Sequence, residues 1–218
     1  RLATAVSINQ LETMMLDATL RPWIDKPLNV VATLIITQPF LKPSADRITM
    51  TGFIIGLGAP AALCLEQYTA ALAFIVLNRI MDGLDGAVAR KLATTDRGGY
   101  LDIVLDFLFY AGVVFGFSLA QPEHGVYAAA LLFAFMGTAS SFLAFAIFAQ
   151  KRGLETSMRG KKSLYYLGGL TEGTETIVAF VLMCLVPTYF WLIALLFTAL
   201  CIITTAARIR FAWHVLSD

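Results

Sequence analysis

Charged residues are scarce in this sequence. They make up 14% of its 218 residues, whereas soluble domains usually contain about 25%. Hydrophobic residues make up 58% of the chain, and the mean hydropathy is +0.75. Apolar runs of about 20 residues recur along the chain, which is the length needed to cross a bilayer as a helix. The shortage of charge therefore excludes an ordinary soluble domain and predicts an all-α polytopic membrane protein.

Metal-binding and nucleic-acid-binding patterns are also missing. The two histidines, His124 and His214, lie in a predicted external loop and in the C-terminal tail, where we expect both to be solvated. Cys64, Cys184 and Cys201 lie in apolar runs without CxxC or Cys/His spacing, so we interpret them as small buried hydrophobes. The net charge is only +1, and no basic arm or aromatic-basic patch is present. We therefore expect no nucleic-acid partner.

Six apolar segments predict six transmembrane helices. The connections CLEQYT, QPEHGV and VPTYFW contain no Lys or Arg, and the basic residues cluster at the other ends of the segments. This asymmetry predicts that both termini lie in the cytoplasm. The predicted spans are Ile48–Leu65, Tyr68–Leu92, Gly99–Leu119, Val126–Ala149, Leu164–Leu185 and Thr188–Arg208.

The stretch DKPLNVVATLIITQPFLK, ahead of the first span, is apolar between Pro27 and Pro39. A helix of about 12 residues rises only about 18 Å, which is too short for a hydrocarbon core of about 30 Å. We therefore predict amphipathic helices that lie on the cytoplasmic membrane surface in residues 1–45. Residues 46–218 would form the six-helix bundle, and residues 1–218 a single membrane domain.

Two Gly-xxx-Gly pairs lie inside predicted spans, Gly52 with Gly56 and Gly112 with Gly116. Small residues at this spacing let two helices approach closely. Packing within one chain and packing across a dimer are both compatible with the pattern.

Four aspartates occur in the apolar stretch NRIMDGLDGAVARKLATTDRGGYLDIVLDF, which begins at Asn78. Asp82 and Asp85 lie near the cytoplasmic end of the second span, and Asp102 and Asp106 lie in the first turns of the third. Spacings of three and four residues place each pair on one helix face, and a short loop joins the two spans. Four carboxylates in a low dielectric need compensating cations. Oxygen ligands favour Mg²⁺ or Mn²⁺, and four carboxylates suit two ions better than one.

The residues between the aspartates indicate the ligand. Gly86 and Ala89 leave room for a flat or bulky ligand, and Arg90 offers a planar positive group suited to phosphate. Gly98 leaves similar room at the start of the third span, where a helix N-terminus favours an anion. With two metal ions, this arrangement predicts a pyrophosphate site that faces the cytoplasm. Charges that only orient the helices are the alternative, but carboxylates inside a membrane are costly and usually functional.

The stretch DGLDGAVARKLATTDRGGYLDIVLD resembles the signature of the CDP-alcohol phosphotransferase family, D-x2-D-G-x2-A-R-x7/8-G-x3-D-x3-D. Every signature position is filled between residues 82 and 106. KPSADRIT, before the first span, is similar to the family's Pro-Asn-x-Leu-Thr segment, with Asp46 where Asn is common. The resemblance implies that Asp82, Asp85 and Asp102 hold the metal ions. Asp106 would be both a ligand of the second metal ion and the general base.

The resemblance also implies the reaction. Asp106 would take a proton from an alcohol, whose oxygen would attack the phosphorus distal to cytidine and release CMP. Members of the family are membrane enzymes of phospholipid synthesis, often homodimers, that most often use CDP-diacylglycerol. Another CDP-alcohol is an alternative donor that the resemblance also allows. The implied location is a bacterial inner membrane, and the implied CDP pocket consists of Gly86, Ala89, Arg90, Gly98 and Thr49.

The stretch KKSLYYLGGLTEGTETIVAF carries the candidate acceptor residues, and it resembles a bacterial branch of the family with no assigned acceptor. Glu172 and Glu175, in the predicted fifth span, could bind acceptor hydroxyls or an amine, and Lys161 and Lys162, with Arg159, could bind a phosphate. An ion pair that holds two helices together is an equal alternative for the glutamates. The candidate partners for that pair are Arg79, Arg90 and Arg208.

Two other functions are compatible with acids inside a membrane. A UbiA-like prenyltransferase also uses Asp-rich helices and Mg²⁺, but its motif would need an aspartate where Ala89 stands, and its fold uses more than six spans. An ion-coupled transporter would need charges near the bilayer midplane and broken helices in repeated halves, which this sequence does not show. We therefore predict a phosphotransferase.

Overall fold

The structure is a computed structural model, and it describes residues 27–34, 36–37, 44–154 and 171–217. Every regular element in these ranges is helical, which confirms the all-α class. Two 3-10 turns, Pro122–His124 and Pro187–Tyr189, precede helices α5 and α7. From residue 44 onward, the described α-helices are α1 (Ala45–Gly56), α2 (Gly58–Cys64), α3 (Tyr68–Leu92), α4 (Asp96–Ala120), α5 (Gly125–Lys151), α6 (Gly173–Leu185) and α7 (Phe190–Val215).

The first predicted span is a single apolar stretch that is interrupted at Leu57. α1 ends at Gly56 and α2 begins at Gly58. Pro60 lies in the first turn of α2 and has no N–H to donate to the carbonyl of Gly56, so a regular helix cannot continue through this turn. The two helices together, Ala45–Cys64, are still long and apolar enough to cross a membrane.

Four helical stretches in the described residues have the length and apolarity of membrane spans. They are Ala45–Cys64, Asp96–Ala120, Pro122–Lys151 and Pro187–Val215. α3 is as long as α4, but Arg79, Asp82, Asp85, Arg90 and Lys91 make its second half polar. α6 is apolar and begins at Gly173, and the predicted fifth span is described from residue 171 onward. The protein is a polytopic membrane protein.

The interior is built around α1 and α2, which pack against both α3 and α4. α5 packs along α7, and α6 contacts α3 and α7. Phe109, Phe117, Phe180 and Phe190 are buried at the centre, where the rings of Phe117 and Phe190 stack with centroids 4.7 Å apart. Many large apolar side chains point outward, among them Phe133, which is 77% exposed. Outward apolar faces are expected where helices meet lipid.

Three of the four glycines in the Gly-xxx-Gly pairs make close contacts within the chain. A Cβ on Gly52 would lie 2.7 Å from the Cβ of Met81 on α3, and a Cβ on Gly56 would also meet α3. A Cβ on Gly116 would lie 2.9 Å from the Cα of Pro60 on α2. These glycines let α1 approach α3 and let α2 approach α4, so the pattern is explained by intramolecular packing.

The predicted interfacial segment is partly described, and residues 27–34 are helical. Ala32 is fully buried against α3 in a cluster with Leu84, Ala87 and Val88. Lys91 Nζ donates a hydrogen bond of 2.9 Å to Thr33 Oγ1. This segment therefore lies on the polar half of α3, while the prediction for residues 1–26 and 38–43 falls outside the described residues.

Two smaller predictions need correction. Cys184 and Cys201 are buried as predicted, but Cys64 is exposed. His214 is exposed as predicted, whereas His124 is half-buried with its ring 6.0 Å from that of Tyr127. The apolar surroundings of a cysteine in sequence do not determine whether it faces the interior or the lipid, since a helix in a membrane is apolar on both sides.

Candidate active site

The four aspartates lie at matching depths because α3 and α4 are antiparallel and joined by a short loop. Asp82 lies about ten residues before the end of α3, and Asp106 about ten residues after the start of α4, so each is about 15 Å from the loop. Asp85 and Asp102 are each about 10 Å from it. The Thr95 hydroxyl accepts a 3.0 Å hydrogen bond from the Gly98 N–H, which fixes the start of α4.

Three of the carboxylates converge. One oxygen from each of Asp82, Asp102 and Asp106 lies within 4.8 Å of the other two. Metal–oxygen distances for Mg²⁺ are about 2.1 Å, so two ligands on opposite sides of an ion are about 4.2 Å apart. Small shifts of these side chains would bring all three oxygens to one hard divalent cation.

Asp85 belongs to the same site, although it is not one of the three converging residues. It is 5% exposed, and within the described part of the chain its Oδ2 has no hydrogen-bond partner. It lines a small cavity with the other three aspartates and with Thr49, whose hydroxyl donates to the Ala45 carbonyl at 2.9 Å. A buried anionic oxygen without a partner is costly, and a cation would compensate it. The donor set therefore fits one or more divalent cations.

Arg79 contacts two of these carboxylates, a contact that was not predicted. Its Nη2 lies 2.6 Å from Asp106 Oδ1, and its Nη1 lies 3.3 Å from Asp82 Oδ2. Tyr110 OH accepts a hydrogen bond from Arg79 Nη1 and donates one to Asp106 Oδ2, each at 3.1 Å. The signal was present in the sequence, because Arg79 precedes Asp82 by three residues and Tyr110 follows Asp106 by four.

Four residues of the predicted CDP pocket lie at the end of α3 or the start of α4, on the loop side of the site. Gly86 and Ala89 are half-buried on α3, and a Cβ on Gly86 would lie 3.3 Å from Nη1 of the exposed Arg90. A Cβ on Gly98 would lie 3.1 Å from Asp46 Oδ1. Among the described residues, these four stand outside the small cavity that Thr49 and the aspartates line.

Asp46, the departure from the family pattern, has a structural partner. Arg97 Nε donates a hydrogen bond of 2.7 Å to Asp46 Oδ2, and the two side chains also form an ion pair. This contact joins the start of α1 to the start of α4. It therefore ties the helix that carries Thr49 to the helix that carries Asp102 and Asp106.

The two glutamates of the predicted fifth span are used by their own helix. Glu172 is the N-cap of α6, and its side chain accepts a hydrogen bond from the backbone N–H of Glu175. The Glu175 carboxylate accepts one in return from the Glu172 N–H at 3.1 Å. This capping box satisfies backbone donors that the first turn of a helix leaves unpaired.

Two of the candidate partners of those glutamates have contacts with other groups. Arg79 is bound to Asp82 and Asp106, and Arg208 is buried and donates to the Thr138 carbonyl at 3.0 Å. The start of α6 is nevertheless close to the aspartates, because a Cβ on Gly173 would lie 3.3 Å from Tyr110 OH. The predicted phosphate-binding residues Arg159, Lys161 and Lys162 lie outside the described residues.

Residues 43–209 match the family model of CDP-alcohol phosphatidyltransferase. The chain belongs to this family. It is 54% identical over 196 residues to the inner membrane protein YnjF of Escherichia coli (strain K12), covering 89% of this chain and 94% of that protein. It is 31% identical over 101 residues to the archaetidylinositol phosphate synthase of Pyrococcus horikoshii, covering 46% of this chain and 52% of that enzyme.

The fold is also similar to solved structures of the phosphatidylinositol phosphate synthase of Mycobacterium tuberculosis. One, in complex with manganese and citrate, has a TM-score of 0.68 and covers 85% of this chain and 88% of that chain. Another, with CDP-DAG bound, has a TM-score of 0.64 and covers 85% of this chain and 93% of that chain. The sequence identity is 18% in both cases, so this likeness shows a shared fold.

Membership of the CDP-alcohol phosphatidyltransferase family confirms the resemblance and the enzyme class. The chain is a membrane transferase of substituted phosphate groups, in a family of phospholipid biosynthesis. Neither a prenyltransferase nor an ion-coupled transporter is needed to explain the acids.

Proposed function

We propose that this chain transfers a phosphatidyl group from CDP-diacylglycerol to the hydroxyl of a small alcohol and releases CMP. Asp82, Asp85, Asp102 and Asp106 would hold two divalent cations, Mg²⁺ or Mn²⁺. The observation that carries the proposal is the approach of three carboxylate oxygens from two helices to within 4.8 Å, beside the buried, unpaired Oδ2 of Asp85. The family match and the CDP-DAG and manganese bound to structurally similar proteins support the donor and the metal.

Asp106 would act as the general base. It is half-buried, and its two oxygens are oriented by Arg79 and Tyr110. The acceptor would give its hydroxyl proton to an Asp106 oxygen while its own oxygen forms a bond to the phosphorus distal to cytidine. The bond from that phosphorus to the CMP oxygen would break, and CMP would leave with the electron pair. Bound divalent cations would polarise the pyrophosphate and offset the charge that develops on it.

The nucleotide side of the site would lie toward the α3–α4 loop. Arg90 is exposed there and suits a phosphate oxygen. Gly86, Ala89 and Gly98 would give room for the CDP group, and Thr49 would contact a nucleotide phosphate. The pyrophosphate would then lie between the aspartates and the loop.

The site would face the cytoplasm of a bacterial inner membrane. Arg90, Lys91 and Arg97 flank the α3–α4 loop, and all four aspartates lie on the loop side of their helices. Cytoplasmic loops are enriched in Lys and Arg, which supports six spans with both termini inside. The described glycine pairs pack within the chain, so support for a homodimer comes from the family resemblance alone.

The acceptor would approach Asp106 from the side of α6. Gly173 lies against Tyr110, which bonds to Asp106, so the start of α6 borders the base. Glu172 and Glu175 lie at this border, and the connection that carries Lys161 and Lys162 precedes it in sequence. The acceptor class that we propose is a small polar alcohol.

The test is CMP release from CDP-diacylglycerol by the purified protein in detergent, with Mg²⁺ or Mn²⁺. The acceptor panel is glycerol 3-phosphate, inositol phosphate, inositol, serine, choline and glycerol. We expect CMP with one acceptor, loss of CMP on chelation, and recovery when the metal is restored. A Glu123→Gln variant, in a turn at the other end of α4, is the matched control and should behave as wild type.

Two results would contradict the proposal. CMP release that continues in excess chelator would exclude the metal role of the aspartates. Absence of CMP with every acceptor, although the protein binds CDP-diacylglycerol, would exclude transfer to these acceptors and point to another acceptor class.

A further inference from the structure

A positively charged side chain of the protein itself contacts two of the aspartates in the described structure. Arg79 forms ion pairs with Asp106 at 2.6 Å and with Asp82 at 3.3 Å. These are the two aspartates farthest from the loop, and both are proposed metal ligands. We propose that Arg79 is a permanent cation of the site, which stabilises the metal-free aspartates and weakens the binding of the divalent ions.

Arg79 is held in place by groups that are not metal ligands. Asn78 Oδ1 accepts hydrogen bonds from Arg79 Nε at 3.0 Å and from Nη2 at 2.6 Å. Asn78 is itself 5% exposed and donates from Nδ2 to the Gly52 carbonyl at 3.0 Å. The guanidinium also lies over the rings of Phe109, at 5.2 Å, and Tyr110, at 5.4 Å. These contacts would remain if the carboxylates turned toward a metal ion.

The packing around Asn78 leaves its side chain little room to move. A Cβ on Gly56 would lie 2.8 Å from Asn78 Nδ2 and 3.0 Å from a Phe109 ring carbon. Gly56 therefore gives the room in which the amide and the ring fit against α1. Since Arg79 is anchored to both of these groups, it is a fixed part of the site rather than a mobile surface arginine.

The total charge of the site determines how a fixed Arg79 affects the affinity for a metal ion. Four ionised aspartates carry a charge of −4, and Arg79 reduces the total to −3. A positive charge a few ångströms from a divalent ion repels it, and the effect is strong where solvent screening is weak. Without metal, the same charge offsets repulsion between Asp82 and Asp106. Arg79 therefore lets the aspartates remain together when no ion is bound.

A purely positional role predicts the opposite sign for metal affinity. If Arg79 only held Asp82 and Asp106 in the geometry that a metal needs, its removal would weaken metal binding. If it acts as a competing cation, its removal strengthens metal binding. The affinity for the metal alone therefore separates the two roles.

The experiment is isothermal titration of Mn²⁺ into the purified full chain in detergent, without substrate, together with thermal unfolding in EDTA. We expect Arg79→Met to bind Mn²⁺ at least about tenfold more tightly than wild type and to unfold at a lower temperature in EDTA.

Arg79→Lys keeps the charge and should stay within about threefold of the wild-type affinity. Tyr110→Phe removes the hydroxyl bonded to Asp106 without changing the charge, and the loss of this positioning contact should weaken Mn²⁺ binding rather than strengthen it. If Arg79→Met does not fold, Arg79→Gln, which can still bond to Asn78, replaces it.

An unchanged or weaker Mn²⁺ affinity in a folded, neutral Arg79 variant would overturn the proposal and assign Arg79 a positional role. The inference depends on the proposed metal site but not on the proposed reaction. Failure of CMP release, with the expected Mn²⁺ affinities intact, would count against the reaction only. A wild-type chain that binds no Mn²⁺ would overturn both the metal site and the role of Arg79.

Discussion

Two groups of acidic residues in this protein have nearly the same sequence pattern and different surroundings. Asp82 and Asp85 on α3 are three residues apart, as are Glu172 and Glu175 at the start of α6. The aspartates meet a second acidic pair from α4 and an arginine from their own helix. The glutamates instead accept hydrogen bonds from the backbone of their own helix.

The difference follows from position within the helix. The first turn of a helix has N–H groups without intrahelical partners, so an acid at the N-cap and another at N3 can satisfy them. Asp82 and Asp85 lie in the interior of α3, where the backbone N–H groups are already used. Their carboxylates must find partners other than the helix backbone, and those partners are the Arg79 side chain for Asp82 and bound cations.

The largest expected effect is that of Asp106→Asn, which removes the proposed base from the aspartate site. CMP release should fall by about 10²–10⁴-fold, the usual contribution of a positioned general base. Glu175→Gln, an isosteric change in the second group, is the matched control and should keep CMP release. Equal losses in both variants would mean that the two groups do not differ in role.

Asp85→Asn should come next, and it affects metal binding and metal-free stability in opposite directions. Mn²⁺ affinity measured by calorimetry should fall at least about tenfold. Even the loss of an outer-shell partner of a metal ligand lowers metal affinity by about tenfold to hundredfold. In EDTA, the variant should unfold at the same or a higher temperature than wild type, because a buried carboxylate oxygen without a partner is replaced by an amide. A clear drop in the unfolding temperature in EDTA would show that Asp85 has a stabilising partner without metal.

Gly116→Ala tests the packing that positions the α4 aspartates. Its Cβ would lie 2.9 Å from the Pro60 Cα, so we expect the free energy of unfolding to fall by about 1–3 kcal/mol. Gly112→Ala, one turn earlier, meets its nearest atom at 3.7 Å and is the control. It should be neutral or stabilising by up to about 1 kcal/mol, since alanine favours a helix over glycine. Denaturant titration in detergent would compare them, and equal effects would contradict the close approach of α2 and α4.

Glu172→Ala should have the smallest effect, a loss of about 1 kcal/mol in the free energy of unfolding, typical of a lost N-cap. Glu172→Asn keeps a capping side chain and should retain most of the stability. The KM for the acceptor should be unchanged in both variants. A raised KM in both, with stability retained in the asparagine variant, would assign Glu172 to the acceptor site instead.

The sequence predicted the helical class, the boundaries of α3 and the convergence of the aspartates. It could do so because these features depend on local spacing and on a short loop between two antiparallel helices. It did not predict that Arg79 and Tyr110 contact Asp106, or that Asn78 holds Arg79 in place. Helical spacing shows which residues share a face, but the pairing of Arg79 with Asp106 depends on how α3 and α4 turn toward each other.

The glutamates of α6 are a second case in which helical spacing did not determine the role of the residues. The pattern of acids in an apolar segment predicted a ligand or an ion pair, because the start of the helix was placed near Leu164. With the described part of α6 beginning at Gly173, Glu172 becomes an N-cap. The position of the helix boundary thus gives two residues, whose spacing was read correctly, a structural role that the sequence did not indicate.

The sequence by itself determined the membrane class, the family and the residues able to bind a divalent cation. Those properties depend on composition and on the chemistry of side chains at set intervals along one helix. The tertiary structure alone decided that the glycine pairs serve contacts within the chain and that Arg79 is the cation shared by Asp82 and Asp106. Those properties depend on distances between helices, which packing sets and which no single segment specifies.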